Sequence, residues 1–407
     1  MKDYLAKRVT KVVASNDILQ ISAKAKEASK KEKVIDASIG QFLAEDKSLV
    51  GLNEIKQALS KYLPDNLGYP SSLGSQEYQE AILKWLFKTE YNTVNKTYQI
   101  PFAATLGGTG ACSLAFKTFL DEGETVLLPS VMWSNYRLIA KEATLKSATY
   151  PLFKGQHFNI DGLIKKINSL KQRNVLVVIN DPCENPTGYS LSSQEYKELI
   201  TKLNEVGKKR NLAILFDIAY LDFDHDGKSM HHLFKELLAK KLNFLPLFAF
   251  SCSKTFGVYG LRVGALFALS KGLEFKTDLC QAWGNFARGT YSCPNGGALA
   301  AISKALLDPN SMNKIQAEIC TNSMNLQLRG KYLIEQLEKN KISYLPYCNG
   351  FFVTIIVKDT SGLTKKLEKQ HIYVVPLDSK HIRLAVSGLN KEDIQTICQV
   401  IGGLENA

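Results

Sequence analysis

Two short and almost unbroken apolar runs constrain this chain most: Asn174-Val175-Leu176-Val177-Val178-Ile179 and Leu212-Ala213-Ile214-Leu215-Phe216, with a helical stretch over 193–208 between them. A strand that alternates apolar and polar residues buries one face. A strand without alternation buries both, the pattern of a parallel sheet covered by helices on each side. The spacing therefore predicts an α/β fold. Thr125-Val126-Leu127-Leu128-Pro129, Phe248-Ala249-Phe250 and 263–269 read as further strands, and 161–172 as a helix. Open sheets of this class bind ligands beyond the carboxyl ends of their strands. The residues that follow each run are thus the first candidates for function.

After the first run comes Asp181-Pro182-Cys183-Glu184-Asn185-Pro186-Thr187-Gly188, a proline-stiffened loop presenting the Asn185 amide, or equally a plain turn. The second run ends in Asp217-Ile218-Ala219-Tyr220. A carboxylate at the end of so apolar a strand is costly unless a charged partner meets it; a capping aspartate is the alternative. Between the last two strands lies Ser251-Cys252-Ser253-Lys254-Thr255-Phe256-Gly257-Val258-Tyr259-Gly260-Leu261-Arg262-Val263-Gly264. A lysine on such a connection can condense with a carbonyl, and pyridoxal phosphate is the carbonyl cofactor that most often requires one. Arg262 offers a planar fork for a phosphate. An exposed lysine with a surface ion pair is the plain reading of the same residues. Upstream, Thr105-Leu106-Gly107-Gly108-Thr109-Gly110-Ala111 opens a helix to 120, so its backbone N–H groups suit an anion, although a tight corner needs the same glycines.

The lysine stretch resembles the class I aminotransferases of pyridoxal phosphate fold type I, closest to the aspartate and aromatic amino acid branch, with Val258 in place of a leucine. The resemblance runs from about Ile35 to the C-terminus. It implies a large domain (48–305) around a mainly parallel seven-stranded sheet, and a smaller α+β domain from the two chain ends, 1–47 and 306–407. It implies Lys254 as the cofactor-bearing base and Asp217 as partner of the pyridine nitrogen. Tyr220 and Asn185 then face the ring's C3 oxygen, and Gly108, Thr109, Gly110, Ser251, Ser253 and Arg262 hold the phosphate. Trp133 matches an aromatic residue stacked on the ring, otherwise a packing tryptophan, and the nearby Tyr136 departs from a histidine, a change that bears on the electronics of the ring or on substrate preference. Tyr62 matches a tyrosine that reaches the neighbouring subunit's phosphate, with Tyr69 as competitor in a turn-rich 62–70 segment. For substrate, Gly40 and Arg383 match groups around the α-carboxylate, and Arg288 an arginine that grips a distal carboxylate from the partner subunit, or else a surface arginine. The expected reaction is ping-pong transamination between an aspartate-like or aromatic L-amino acid and a 2-oxo acid such as 2-oxoglutarate, by a homodimer. A lyase on the same fold is the nearest rival. A cofactor-sensing regulator is the remote one, because the ~34 residues before the first strand are too few for a DNA-binding domain.

Composition narrows the field further. Over 407 residues, 45% are hydrophobic and 22% charged, ordinary for a globular protein with a large core. Lysine plus arginine is 51 against 39 acidic residues, a net +12. The excess is spread over mixed, solvated stretches with no nucleic-acid-binding motif, so no nucleic-acid partner is expected. The eight cysteines form no C-x-x-C pair and the six histidines no metal spacing. No apolar run approaches a membrane span and no signal core follows the N-terminus, which predicts a cytoplasmic protein with no membrane partner. Helices are expected over 1–34, 75–91, 295–307, 313–339 and 363–370, strands over 34–40, 350–357, 373–376 and 381–385, and a loop over 131–136.

Overall fold

The computed structural model describes residues 18–224 and 228–406. Its centre is a seven-stranded sheet. In chain order the strands are β1 (Phe102–Leu106), β2 (Thr125–Pro129), β3 (Lys146–Tyr150), β4 (Asn174–Asn180), β5 (Asn211–Asp217), β6 (Leu245–Ser251) and β7 (Val263–Ala268). Their spatial order is β1-β7-β6-β5-β4-β2-β3. β7 runs antiparallel to both neighbours and all other pairs are parallel. The two runs that predict the fold are β4 and β5; Leu176, Val177, Val178, Ile214, Leu215 and Phe216 are each 0% exposed. Burying such a side chain contributes about 1.5–3 kcal/mol, which offsets ending these strands in polar residues. Because β7 is reversed, its beginning lies at the sheet edge where the parallel strands end. Arg262 and Lys254 thus come to one rim.

The chain ends meet in a second core. Ile35, Ala37 and Phe42 pack with Leu326, Leu333, Phe351, Phe352, Ile382 and Leu384. A four-stranded antiparallel sheet holds β8 (Ser343–Tyr344), β9 (Phe352–Ile356), β10 (Val375–Pro376) and β11 (His381–Ala385), ordered β8-β9-β11-β10. This layer grips the loop after β4: Thr354 Oγ1 donates to the Pro186 carbonyl (2.8 Å), and the Cys348 and Asn349 N–H groups share the Gly188 carbonyl (2.9 Å each).

Several expected elements differ. Of 1–34, the helix is Ile18–Ala28, and 1–17 lie outside the described residues. The 34–40 strand is only Ile35–Asp36, because Asp36 Oδ1 accepts from both the N–H and the hydroxyl of Ser38 and turns the chain. The 75–91 helix is α-helical over Gln76–Phe87, then tightens to a 3-10 turn at Lys88–Glu90 where Lys88 has a positive φ of 47°. The 131–136 loop closes early: Asn135–Glu142 is helical and includes Tyr136. The 373–376 strand is two pieces, Ile372–Tyr373 pairing with Ile35–Asp36 and Val375–Pro376 with β11. Helix Leu273–Thr290, which carries Arg288, has no counterpart in the sequence expectations.

Candidate active site

An anion cup forms where β1 ends. Leu106 passes straight into the helix Gly107–Phe119, so the free N–H groups of its first turn face the rim. Arg262, left-handed at φ 54°, lays its guanidinium over that turn. A Cβ at Gly107 would stand 2.4 Å from its Nη2, and with φ +68° only glycine suits the place. Arg262 Nη1 donates to Ser253 Oγ (3.1 Å) and to the Tyr259 carbonyl (2.8 Å). Ser251 lies against Gly108, whose added Cβ would be 3.3 Å from the Ser251 side chain. Gly108, Ser251, Ser253 and Arg262 therefore converge, and Thr109 and Gly110 continue the same helical turn. Gly107 was not among the expected donors; its part shows only once Arg262 is seen above it.

Asp217, 5% exposed at the end of β5, meets only neutral donors among the described residues. The Tyr136 hydroxyl donates to Oδ2, the Ala219 N–H to Oδ1 (3.2 Å), and Cys112 Sγ stands 3.9 Å from Oδ2. Burial raises its pKa to about 6, against the lowering pull of those hydrogen bonds. Asn180, opposite Asp217 in the β4–β5 register, ties the rim together: its amide donates to the Asp217 carbonyl (2.8 Å) and its oxygen accepts from the Asn185 N–H (2.7 Å).

Lys254 sits in a four-residue helix, Cys252–Thr255, directly after β6, the strand beside β5. Its Nζ donates to the Gly40 carbonyl (2.5 Å) and lies within 4.8–5.7 Å of the Tyr259, Phe351 and Tyr220 rings. Burial, with the charges of Arg383 and Arg262, depresses its pKa to about 7. The amine is thus largely neutral just above neutral pH and able to act as nucleophile or base.

Arg383 on β11 is 2% exposed. Nη1 donates to Asn185 Oδ1 (3.2 Å), Nη2 to the Ser38 carbonyl, and the guanidinium stacks 4.3 Å from the Phe352 ring centre. Nε has no partner, and no carboxylate pairs with this buried cation among the described residues. Burial lowers its pKa to about 10. Asn185 Nδ2 is 3.3 Å from the Tyr220 hydroxyl, whose pKa burial pushes up, so these two converge as expected. Gly40 is small because a Cβ would fall 2.4 Å from the Phe352 ring. Trp133 is half-buried and edge-on to Tyr136 (centroids 5.2 Å apart, 82°).

Three expected residues stand apart within one chain. Tyr62 ends the helix Asn53–Tyr62 and packs half-buried with Lys61 Nζ 4.9 Å above its ring. Tyr69 is 95% exposed. Arg288 is exposed, with Nη1 donating to Ser292 Oγ (2.8 Å). Tyr259, Ser38, Asn180 and Phe352 join the cluster without having been foreseen as site residues. Two of them left a sequence trace: Tyr259 lies inside the lysine stretch, and Asn180 is the polar residue closing an apolar run.

The rim offers an anion cup, a buried carboxylate, a largely neutral lysine amine and a buried guanidinium, a donor set that suits a small molecule with an anionic end, a cationic ring nitrogen and an aldehyde. Pyridoxal phosphate has all three features, so fold and site define a pyridoxal phosphate enzyme that handles amino acids. The chain belongs to the aminotransferase class I and II family, whose profile matches residues 32–401; it is an aminotransferase. It is similar to the tyrosine aminotransferase of Klebsiella pneumoniae (24% identical over 400 residues, covering 95% of this chain and 96% of that protein). It is also similar to the aromatic-amino-acid aminotransferase of Escherichia coli K12 (25% over 409 residues, 96% and 98%). Among solved structures, an aminotransferase from Anaerococcus prevotii DSM 20548 superposes with a TM-score of 0.91 at 28% identity over the whole of both chains.

Proposed function

We propose that this aminotransferase exchanges the amino group of an aspartate-like or aromatic L-amino acid with a 2-oxo acid such as 2-oxoglutarate, by ping-pong kinetics, as a cytoplasmic homodimer. The observation that carries the reading is that a buried carboxylate with no cation against it among the described residues and a lysine whose charge is suppressed stand on adjacent strand ends. Relatives named for aspartate, tyrosine and aromatic amino acids support the substrate class. Among the described residues no helix is long and apolar enough to cross a membrane.

Pyridoxal phosphate, when bound, supplies an aldehyde and an electron-accepting ring that stabilises charge at the amino acid's α-carbon. The chain does the rest. Gly108, Thr109, Gly110, Ser251, Ser253 and Arg262 would hold the phosphate, and Trp133 would supply an aromatic face for the ring. Asp217 would favour a protonated ring nitrogen, and the Asn185 amide and Tyr220 hydroxyl, which meet at 3.3 Å, would donate to the ring's C3 oxygen. Arg383 takes the α-carboxylate on its free edge as a bidentate fork, close to Gly40. Lys254 would anchor the group through Nζ and, as a largely neutral amine beside the Gly40 carbonyl, would serve as the base that holds or moves the substrate's α-proton. In the dimer we assign Tyr62 to the neighbouring phosphate, in preference to Tyr69, and Arg288 to the distal carboxylate of acidic substrates.

Two outcomes test this reading. A donor panel with 2-oxoglutarate as acceptor is expected to show glutamate formation from aspartate or an aromatic amino acid; pyruvate and ammonia released without an acceptor would identify a lyase instead. Arg288→Ala is expected to lower kcat/KM for dicarboxylic donors about tenfold to a hundredfold, the worth of a charged hydrogen bond, and to leave aromatic donors nearly unchanged. Equal losses would remove Arg288 from selectivity.

Lysine ionisation adds a pH signature. Only the neutral amine attacks an aldehyde, and the folded pKa near 7 lies far below the usual 10.5. The rate at which apoprotein captures pyridoxal phosphate, followed by absorbance, is expected to rise about tenfold per pH unit below pH 7 and to level off above it. A rate still climbing at pH 9 would show that the amine remains charged.

A further inference from the structure

Tyr136 is 0% exposed, and its hydroxyl is the one side-chain O–H on Asp217 among the described residues. It stands on the first turn of helix Asn135–Glu142, edge-on to Trp133, while Cys112 approaches the same Oδ2 only as a weak donor at 3.9 Å. We propose that Tyr136 is a positioning residue that decides where the proton sits between Asp217 and the ring nitrogen it faces, holding the carboxylate ionised so that the nitrogen keeps the proton. This rests on the function assigned above.

The physical reason is direct. A hydrogen bond donated to a carboxylate stabilises its charged form and weakens it as a base. A carboxylate in a dry strand end is otherwise a strong base and would draw the proton to itself, leaving a neutral acid beside a neutral ring. Burial and the nearby Asp217 charge push the phenol's own pKa up, so Tyr136 remains a donor and does not compete as a second anion. Its ring, wedged against Trp133, fixes the direction of the O–H. No proton is gained or lost by the pair: the phenol keeps its proton and biases the position of another. Without that bias the ring would be a poorer electron acceptor and would lose its charge pairing with Asp217.

The test compares Tyr136→Phe with wild type, both reconstituted with pyridoxal phosphate labelled with nitrogen-15 in the ring. The wild-type ring nitrogen is expected at a chemical shift typical of the protonated form. In Tyr136→Phe it is expected to move toward the unprotonated value, with the cofactor Kd weakened about tenfold, while the apoprotein's circular dichroism stays that of wild type. Because the substitution could prevent folding, 3-fluorotyrosine installed at position 136 serves as the second variant: its stronger donor is expected to hold the nitrogen protonated to higher pH. A Tyr136→Phe holoprotein with unchanged nitrogen shift and Kd, or a fluorinated protein indistinguishable from wild type, overturns the proposal. A wild-type ring nitrogen that is already unprotonated overturns the role of Asp217 and, with it, this one; a normal wild type with a silent Tyr136→Phe overturns this one alone.

Discussion

Lys254→Ala is expected to lower kcat by about four orders of magnitude or more, because in the proposed reaction it removes both the covalent attachment point and the base for the α-proton. Around Nζ stand the Gly40 carbonyl and the Tyr220, Tyr259 and Phe351 rings, none of them an amine. The two tyrosines have pKa values pushed up by burial, so neither phenol is a base at neutral pH. The visible absorbance of the lysine-bound cofactor is expected to vanish with the activity, while the apoprotein keeps its fold, since removing a desolvated amine relieves a burial cost. That cost has a definite sign. A lysine whose folded pKa is depressed destabilises the fold as pH falls from its unfolded value of 10.5 through about 7. The alanine variant should therefore match or exceed the wild-type apoprotein's Tm at pH 7. Persistence of the bound-cofactor band in Lys254→Ala would move the attachment to another lysine and undo the site.

Asp217→Asn is expected to cut kcat about a thousandfold by removing the charge proposed to stabilise a protonated ring, the scale seen when a preorganised electrostatic partner is lost. Stability should move the other way. The folded pKa of Asp217 is raised from 3.8 to about 6, so stability present below pH 4 is lost as pH rises through 6. At pH 8 that loss is about 3 kcal/mol by the pKa difference. An asparagine keeps the acceptor for Tyr136 without the charge, so the apoprotein's Tm is expected to rise by a few degrees at pH 8 and hardly at all at pH 4. An activity site that destabilises its own fold is a common trade. A variant that is inactive and also less stable at pH 8 would mean that Asp217 is structural and already paired.

Much of the proposed site could be named from the sequence because it is written next to the strands that build the rim. Lys254, Asp217, Asn185 and Arg262 each follow or flank an apolar run, and in a parallel sheet every such run ends at the same rim. Gly108, Thr109 and Gly110 drew notice for another reason, as glycines opening a helix whose N–H groups suit an anion. Other parts were hidden by chain distance. Arg383 stands out as a charge on an apolar strand, yet its partners, Asn185 and Ser38, lie 198 and 345 residues away. Tyr136 read as loop, whereas folding puts it on a helix with its hydroxyl on a carboxylate 81 residues further on. Gly107 gained its meaning only from an arginine 155 positions later that folds over it.

Hydrophobic patterning is local: whether a strand is buried on one face or two is recorded in consecutive residues, and so the sequence alone determined an α/β sheet and which side chains stand at its strand ends. Electrostatic environment is not local. The depressed lysine, the raised aspartate and the unpaired edge of Arg383 come from what surrounds each group and from the water excluded there. Only the tertiary structure, closing the two chain ends over the rim of the sheet, decided those.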